Sequence, residues 1–343
     1  MERPLLAAVV IVRDEARMMP ACLEFLKGIA DEIHVHDTGS VDGTPEIAAR
    51  YGVHVTHGEW RDDFSAARNA AVAGVRAQWV LAADADHRVT ADPPALRRFL
   101  ATATAEALTV TIDDAHHANP YQQQETRIYR PGILRWTGRV HERLVRPYGS
   151  EPVRAAVPGS IMRMRHLGHA TYADRIRRAD RNLALGQATI DDLAGQLAEH
   201  RADRHEIARA LLAFGRDCAA AERRQQAADT FELLRELFPG TPEWIHATDA
   251  LARLVLATGY DKICLVLVEQ LREAGADPVY CDWLAAQALT QLGDPHTAAE
   301  LLHGVTEIVD TTGRRWDPRR LAEVSALVER LRVLAPAGRH RRD

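Results

Sequence analysis

An α/β domain on a mainly parallel sheet, followed by an all-α half, is the fold class this sequence predicts. Three observations predict it. Short apolar runs alternate with helical spacing over the first hundred residues, the texture turns to strands among Pro, Gly and aromatic residues from Glu106, and helical periodicity dominates from Tyr172.

Leu5–Val12 is β-branched and reads as a buried strand, too short for a membrane span and without the flanks of a signal peptide. Arg17–Lys27 has helical spacing through Met18, Cys22, Phe25 and Leu26. Glu32–His36 is a second strand. Asp37-Thr38-Gly39-Ser40-Val41-Asp42-Gly43 reads as a turn, with Thr44 able to cap a helix that begins with Pro45 and Glu46. Val53–Thr56 is a third strand, Phe64–Arg76 an Ala-rich helix and Gln78–Ala83 a fourth strand. Ala107–Ile112, Thr126–Tyr129 and Val140–Val145 extend a mixed sheet. In the helical half, Ala227-Ala228, Ile263-Cys264 and Ala298-Ala299 each precede an apolar helix. They recur roughly every 35 residues, the period of a two-helix solenoid unit of the tetratricopeptide kind, with an irregular bundle as the alternative. A solenoid face can support a homodimer.

The chain has 343 residues, with 43 Lys and Arg against 48 Asp and Glu, a formal net charge of −5. That balance argues against a nucleic-acid partner, and the absence of a long apolar run argues against a membrane one. Cys22, Cys218, Cys264 and Cys281 are scattered without a C-x-x-C pair. They form no disulfide framework or zinc motif, and a cytoplasmic location suits them.

Acidic residues follow the predicted strands: Asp14-Glu15 the first, Asp37 the second, and Asp84-Ala85-Asp86 the fourth. In an open parallel sheet those ends form the ligand-binding edge. Two carboxylates spaced as in Asp84 and Asp86 can serve a ribose and a divalent ion, Mg²⁺ or Mn²⁺, although a plain strand-end turn has the same composition. Asp62 or Asp63 can serve the N-terminus of the following helix, and Arg68 can face either solvent or the cleft. His141-Glu142 and His166 are open to a structural or a functional role.

Taken in order, Val12-Arg13-Asp14-Glu15, Asp37 to Thr44, Trp60 to Asn69, Trp79 to Asp86, Val140-His141-Glu142, His166 with Gly168-His169, and Arg181-Asn182-Leu183 resemble a family-2 glycosyltransferase of the GT-A fold. The resemblance covers roughly residues 4–185. It is closest to the subgroup with a helical, tetratricopeptide-like C-terminal half. It implies a metal-dependent, inverting transfer of a hexose from a nucleotide-diphosphate sugar, with UDP as the expected nucleotide, to a peptide, small-molecule or glycan acceptor. Asp37 would meet the uracil edge, Arg68 the base or diphosphate and Asp84 the ribose. Val12, Asp14, Glu15 and Ala85 would line the donor site. Asp86 would hold Mn²⁺ or Mg²⁺, with His166 as a further ligand. Glu142, or failing it Asp114, would be the general base, with Val140 and Leu144 as apolar neighbours. The chain departs from the family pattern at Asp14, where Asn is common, at His87 after Asp84-Ala85-Asp86, where Glu is usual, and at His169 in place of a frequent Tyr.

The expected division is a GT-A domain over 1–170, with a nucleotide-binding half at 1–112 and an acceptor half at 113–170. A helical domain follows over 171–335 and a flexible tail over 336–343. The competing reading is a helical-repeat adaptor whose first half binds a nucleotide or peptide without turnover. A nucleotidyltransferase would want a Gly-rich triphosphate loop where this chain has Arg13-Asp14-Glu15.

Overall fold

The computed structural model describes residues 3–114, 122–147, 150–168, 172–199 and 203–334. The chain divides into two compact units, Met1–Tyr172 and Ala173–Asp343.

In the first unit, β1 (Leu6–Val12), β2 (Glu32–Asp37), β3 (His54–His57) and β4 (Trp79–Ala83) run parallel in the order β3-β2-β1-β4. β1 and β4 are buried on both faces, which is why they read as continuous apolar runs. Beyond β4 the sheet turns mixed, as expected from the strands read after Glu106. β7 (Gln122–Tyr129) pairs antiparallel with β4 and with β6 (Ala107–Asp114). β11 (Met162–His166) lies parallel to β6 and antiparallel to β5 (His87–Ala91), and β10 (Arg154–Ala156) pairs with β6. β8 (Arg135–Thr137) and β9 (Arg143–Val145) form a separate hairpin.

Among the described residues, four helices lie within this unit: α1 (Met19–Leu26), α2 (Thr44–Arg50), α3 (Phe64–Ala71) and α4 (Pro93–Thr102). The main core joins Leu6, Val10, Met19, Leu23, Val35, Trp79, Leu81, Leu96, Leu108 and Met164. A smaller cluster on the other side of β1 and β4 joins Val9, Val80, Tyr129, Trp136 and Leu144. Two local expectations change. Thr44 does not cap α2: Gly43, in the left-handed region at φ 83°, precedes the helix, and the Thr44 hydroxyl donates to Asp42 instead. The Val140–Val145 strand shortens to β9, because Gly138 (φ 103°) and His141 (φ 52°) turn the chain, leaving His141 and Glu142 in a turn.

The second unit is built of helices, α5 (Tyr172–Ala198), α6 (Arg204–Ala220), α7 (Arg224–Leu237), α8 (Pro242–Ala257), α9 (Asp261–Glu273), α10 (Pro278–Gln291), α11 (Pro295–Leu302) and α12 (Pro318–Leu334), with an isolated antiparallel bridge between Val309 and Arg315 in the loop before α12. α6–α7, α8–α9 and α10–α11 are successive helix pairs. Ala227, Cys264 and Ala298, the small residues of the sequence repeat, open the second helix of each pair and are fully buried. A second small residue, Gly215, Ala252 or Ala286, stands twelve positions earlier in each first helix, and all three are buried as well. Small side chains at both points let the paired axes come close, as the repeat requires. All four cysteines are buried and unpaired by disulfide. No helix of the described residues is long and apolar enough to cross a membrane. The expected tail, 336–343, lies outside the described residues.

Candidate functional site

Strand register brings the predicted acids to one edge. Val12 pairs with Asp37 and Val10 with Ala83, so β1, β2 and β4 deliver Asp14, Asp37 and Asp84 to the same carboxyl-end rim. The two loops there are sewn together. Asp14, at φ 55°, accepts from the Val41 amide at 2.8 Å and donates its own amide to the Ser40 hydroxyl at 2.8 Å. The Glu15 amide donates to Thr44 Oγ1 at 2.8 Å and the Ala16 amide to Asp42 at 2.9 Å. Asp37 is buried and accepts from the Gly39 and Ser40 amides. Val12 supplies a carbonyl to the amide and hydroxyl of Thr38.

The centre of the rim is Arg68, on α3. This helix is fixed at its start by Asp63, whose carboxylate accepts from the Ala66 amide, and by the Phe64 amide donating to the Arg139 carbonyl. Asn69 then pairs in both directions with the Trp136 backbone on β8. Arg68 is thereby buried, stacked 5.3 Å over the Trp136 ring. Its guanidinium donates to Glu142 Oε1 at 2.6 Å and to Asp84 Oδ1 at 2.9 Å. Arg127, on β7, donates to the other Asp84 oxygen at 3.1 Å and grips Glu125 Oε2 at 2.7 Å and 3.0 Å. Burial alone would raise the Asp84 carboxyl, but Arg68 and Arg127 outweigh it and hold the group well below the usual carboxylate range.

Beside this ion-pair network lies a cluster of metal-ligand types. The chain turns at Asp84-Ala85-Asp86 into β5, where His87 stands opposite His166 of β11 in register. Asp86 Oδ2 is 2.9 Å from His166 Nε2, and the two imidazoles meet edge to face at 5.4 Å. One ligand atom from each of Asp86, His87 and His166 lies within 4.8 Å of the others. The Asp84 amide donates to His87 Nδ1 at 3.0 Å, which makes that nitrogen the acceptor and leaves the proton of the neutral ring on Nε2. Burial pushes His87 down to about 4, so the ring is neutral near pH 7. Burial also opposes ionisation of Asp86, but its bond to His166 and the nearby His87 keep it below its ordinary value. Glu15 goes the other way, raised to about 7 by burial and by Asp86, Asp42, Asp84 and Asp14. A rim with this surplus of negative charge is suited to a cation.

Of the sequence-predicted residues, the structure brings Glu15, Arg68, Asp84, Asp86, Glu142 and His166 into one electrostatic neighbourhood. Asp37 stands on the same edge with its carboxylate turned to its own loop, and Asp14 fastens that loop. Val12 and Ala85 are buried at the rim. Glu142 is not enclosed by apolar neighbours alone, since a guanidinium holds one of its oxygens. Asp114 pairs by backbone with His166, and its side chain, like His169, lies outside the described residues. Sequence reasoning missed Arg127 and Glu125, and read His87 only as a departure from the family pattern, not as a neighbour of Asp86 and His166. The one signal was the alternation Glu125-Thr126-Arg127, which puts both charges on the same strand face.

Residues 7–169 match the family described as Glycosyl transferase family 2. A TPR repeat-containing protein of Synechococcus elongatus is 40% identical over 122 residues, 35% of this chain and 30% of that protein. The SPbeta prophage-derived glycosyltransferase SunS of Bacillus subtilis is 22% identical over 260 residues, 74% of this chain and 58% of that protein. The chain thus spans less than two thirds of the length of either relative. Among solved structures, S. aureus TarS 1–349 is similar at a TM-score of 0.39 and 12% identity, over 84% of this chain and 92% of that one.

Proposed function

Because residues 7–169 match Glycosyl transferase family 2, we propose that this chain transfers a hexose from a nucleotide-diphosphate sugar, UDP-linked in the first instance, to an acceptor with inversion. The observation that carries the reading is the adjacency of Asp86 and His166, 2.9 Å apart, to the Arg68-centred network that joins Asp84 to Glu142. The donor then belongs to residues 1–112 and the acceptor to residues 113–170.

The Asp86 carboxylate and the His166 imidazole are ligand types that fit a divalent ion. Asp86 and His166 would hold Mn²⁺ or Mg²⁺, and the ion would neutralise charge growing on the departing diphosphate. The chain's own groups do the rest. Asp37, whose buried carboxylate is already oriented by two amides of its own loop, would meet a nucleobase edge. Arg68 and Arg127 clamp both oxygens of Asp84, fixing it as an acceptor for a ribose hydroxyl. Arg68 also anchors Glu142 Oε1, which leaves Oε2 to take the proton from the attacking acceptor atom. SunS carries the name glycosyltransferase and its match covers most of this chain, which supports an activity of this class.

The test is UDP release measured with a panel of UDP-, GDP- and dTDP-sugars, with and without Mn²⁺, alongside a thermal-shift screen of the same compounds. The native chain should show metal-dependent release that EDTA and Asp86→Asn abolish. Donor binding without turnover under all conditions would favour the adaptor reading, and full activity of D86N would sink the metal assignment.

A further inference from the structure

We propose that Glu32, His34 and His54 form a second divalent-ion site, suited to a borderline transition ion of the zinc class, away from the rim. It is independent of the glycosyltransferase reading. The site is made by register. β2 and β3 are parallel neighbours, with His34 directly opposite His54, and strands in a sheet lie about 4.8 Å apart. Glu32 precedes His34 by two residues and so projects from the same face of β2. Ile33, Val35, Val53 and Val55 take the other face and join the core, so this trio cannot be turned inward by a register slip without exposing them.

His34 Nε2 is 3.1 Å from Glu32 Oε1, yet it makes no hydrogen bond among the described residues and is shielded from solvent. A buried imidazole nitrogen left in that state is costly unless something else satisfies it. Two ligands of one tetrahedral zinc ion, each about 2.0–2.2 Å from it, stand roughly 3.3 Å apart. The 3.1 Å separation matches that span, and one ligand atom from each of the three residues lies within 4.8 Å of the others. The His34 and His54 rings are stacked, with centroids 4.7 Å apart and planes at 21°. His54 is exposed, so its ring is free to turn and close the third position.

Ligand chemistry sets the ion. Two imidazoles and one carboxylate favour Zn²⁺, Ni²⁺ or Cu²⁺ over the hard ions Mg²⁺ and Ca²⁺. The neighbouring His36 does not take part, because its Nδ1 is engaged by the Thr56 hydroxyl at 2.9 Å and its Nε2 faces Gly58. His34 and Asp37 lie three residues apart on opposite faces of β2, roughly 10 Å along the strand, which separates this site from the rim.

Equilibrium dialysis of the full chain against Zn²⁺, with metal counted per chain, tests the proposal. The native protein should retain one equivalent more than His54→Ala, and an Asp86→Asn/His166→Asn chain should still retain the His54-dependent equivalent. Co²⁺ titration should give ligand-field bands that H54A weakens at least tenfold. Equal zinc stoichiometry in native and H54A protein overturns the proposal. Because His54 is exposed and outside the core, that comparison decides the matter even if the double variant does not fold.

Discussion

Arg68 Nε lies 2.6 Å from Glu142 Oε1 across 74 residues of sequence, and the other end of the same guanidinium reaches Asp84. One buried cation therefore sets the positions of two carboxylates from different parts of the chain. Its removal would strand both. Breaking a buried pair by deleting one partner costs about 3–5 kcal/mol, because the remaining charge is left desolvated. Arg68→Ala should lose stability of that order in urea unfolding. Glu142→Gln should lose less, since Asp84 still satisfies the arginine. Arg68→Lys keeps the charge but cannot span two acceptors with a planar fork, so it should fall between the two.

Acid should loosen this fold through His87 before it reaches the carboxylates. His87 is neutral down to about 4 in the folded chain, and about 6.5 is its ordinary midpoint once unfolded. Between those values the unfolded state binds the extra proton, so stability falls as pH drops through that window. From pH 7 to pH 5 this amounts to about 2 kcal/mol. Urea unfolding of native protein and His87→Gln at both pH values should show the native chain losing more than the variant by about that amount. Equal losses would mean that the ring is not held neutral.

Glu15 should work in the opposite sense. Its carboxyl is raised to about 7 by burial and by the surrounding acids, so the folded state holds a proton that the unfolded state has released above about 4.5. Its contribution to stability is therefore present at low pH and lost as pH rises through 7. Glu15→Gln should be more stable than the native chain at pH 8 and close to it at pH 4. A divalent ion added at pH 8 should narrow the gap, because a cation near Asp86 offsets the repulsion that the variant removes. Thermal melts at the two pH values, with and without Mn²⁺, check both statements.

How much of this was legible follows from which links were local. β1 and β4 announce themselves because strands covered on both faces must be apolar throughout, and the acids at their ends then fall on one edge by the rule for parallel sheets. The helix repeat was legible through Ala227, Cys264 and Ala298, whose small size is a packing need. β5 was not read, since His87–Ala91 is a short, half-polar segment with no strong period. Arg127 was unreadable for a different reason. It reaches Asp84 only because β7 inserts antiparallel beside β4, pairing Ile128 with Leu81, and nothing in either segment specifies that partner. Glu142 was singled out by its surroundings in the sequence, but its engagement with Arg68 comes from α3 docking on β8, a tertiary event.

The helical unit offers a test that needs no ligand. In α6, a Cβ built on Gly215 would lie 2.5 Å from Cε1 and 2.8 Å from Cδ1 of Phe231 on α7. Phe231 is 1% exposed, enclosed in the helical core. Gly215→Ala would gain about 1 kcal/mol of helix propensity, but overpacking a tight core costs about 1–3 kcal/mol, and contacts this short fall at the costly end. The variant should thus be destabilised on balance. The equivalent positions in the next two helix pairs carry Ala252 with Val268 and Ala286 with Leu302, all buried, so a methyl is matched there by a smaller partner. Gly215→Ala combined with Phe231→Leu should accordingly recover most of the loss, which a double-mutant cycle by urea unfolding would register as a coupling between the two sites. Additive effects would mean that the small residue at Gly215 is not what lets α6 and α7 approach.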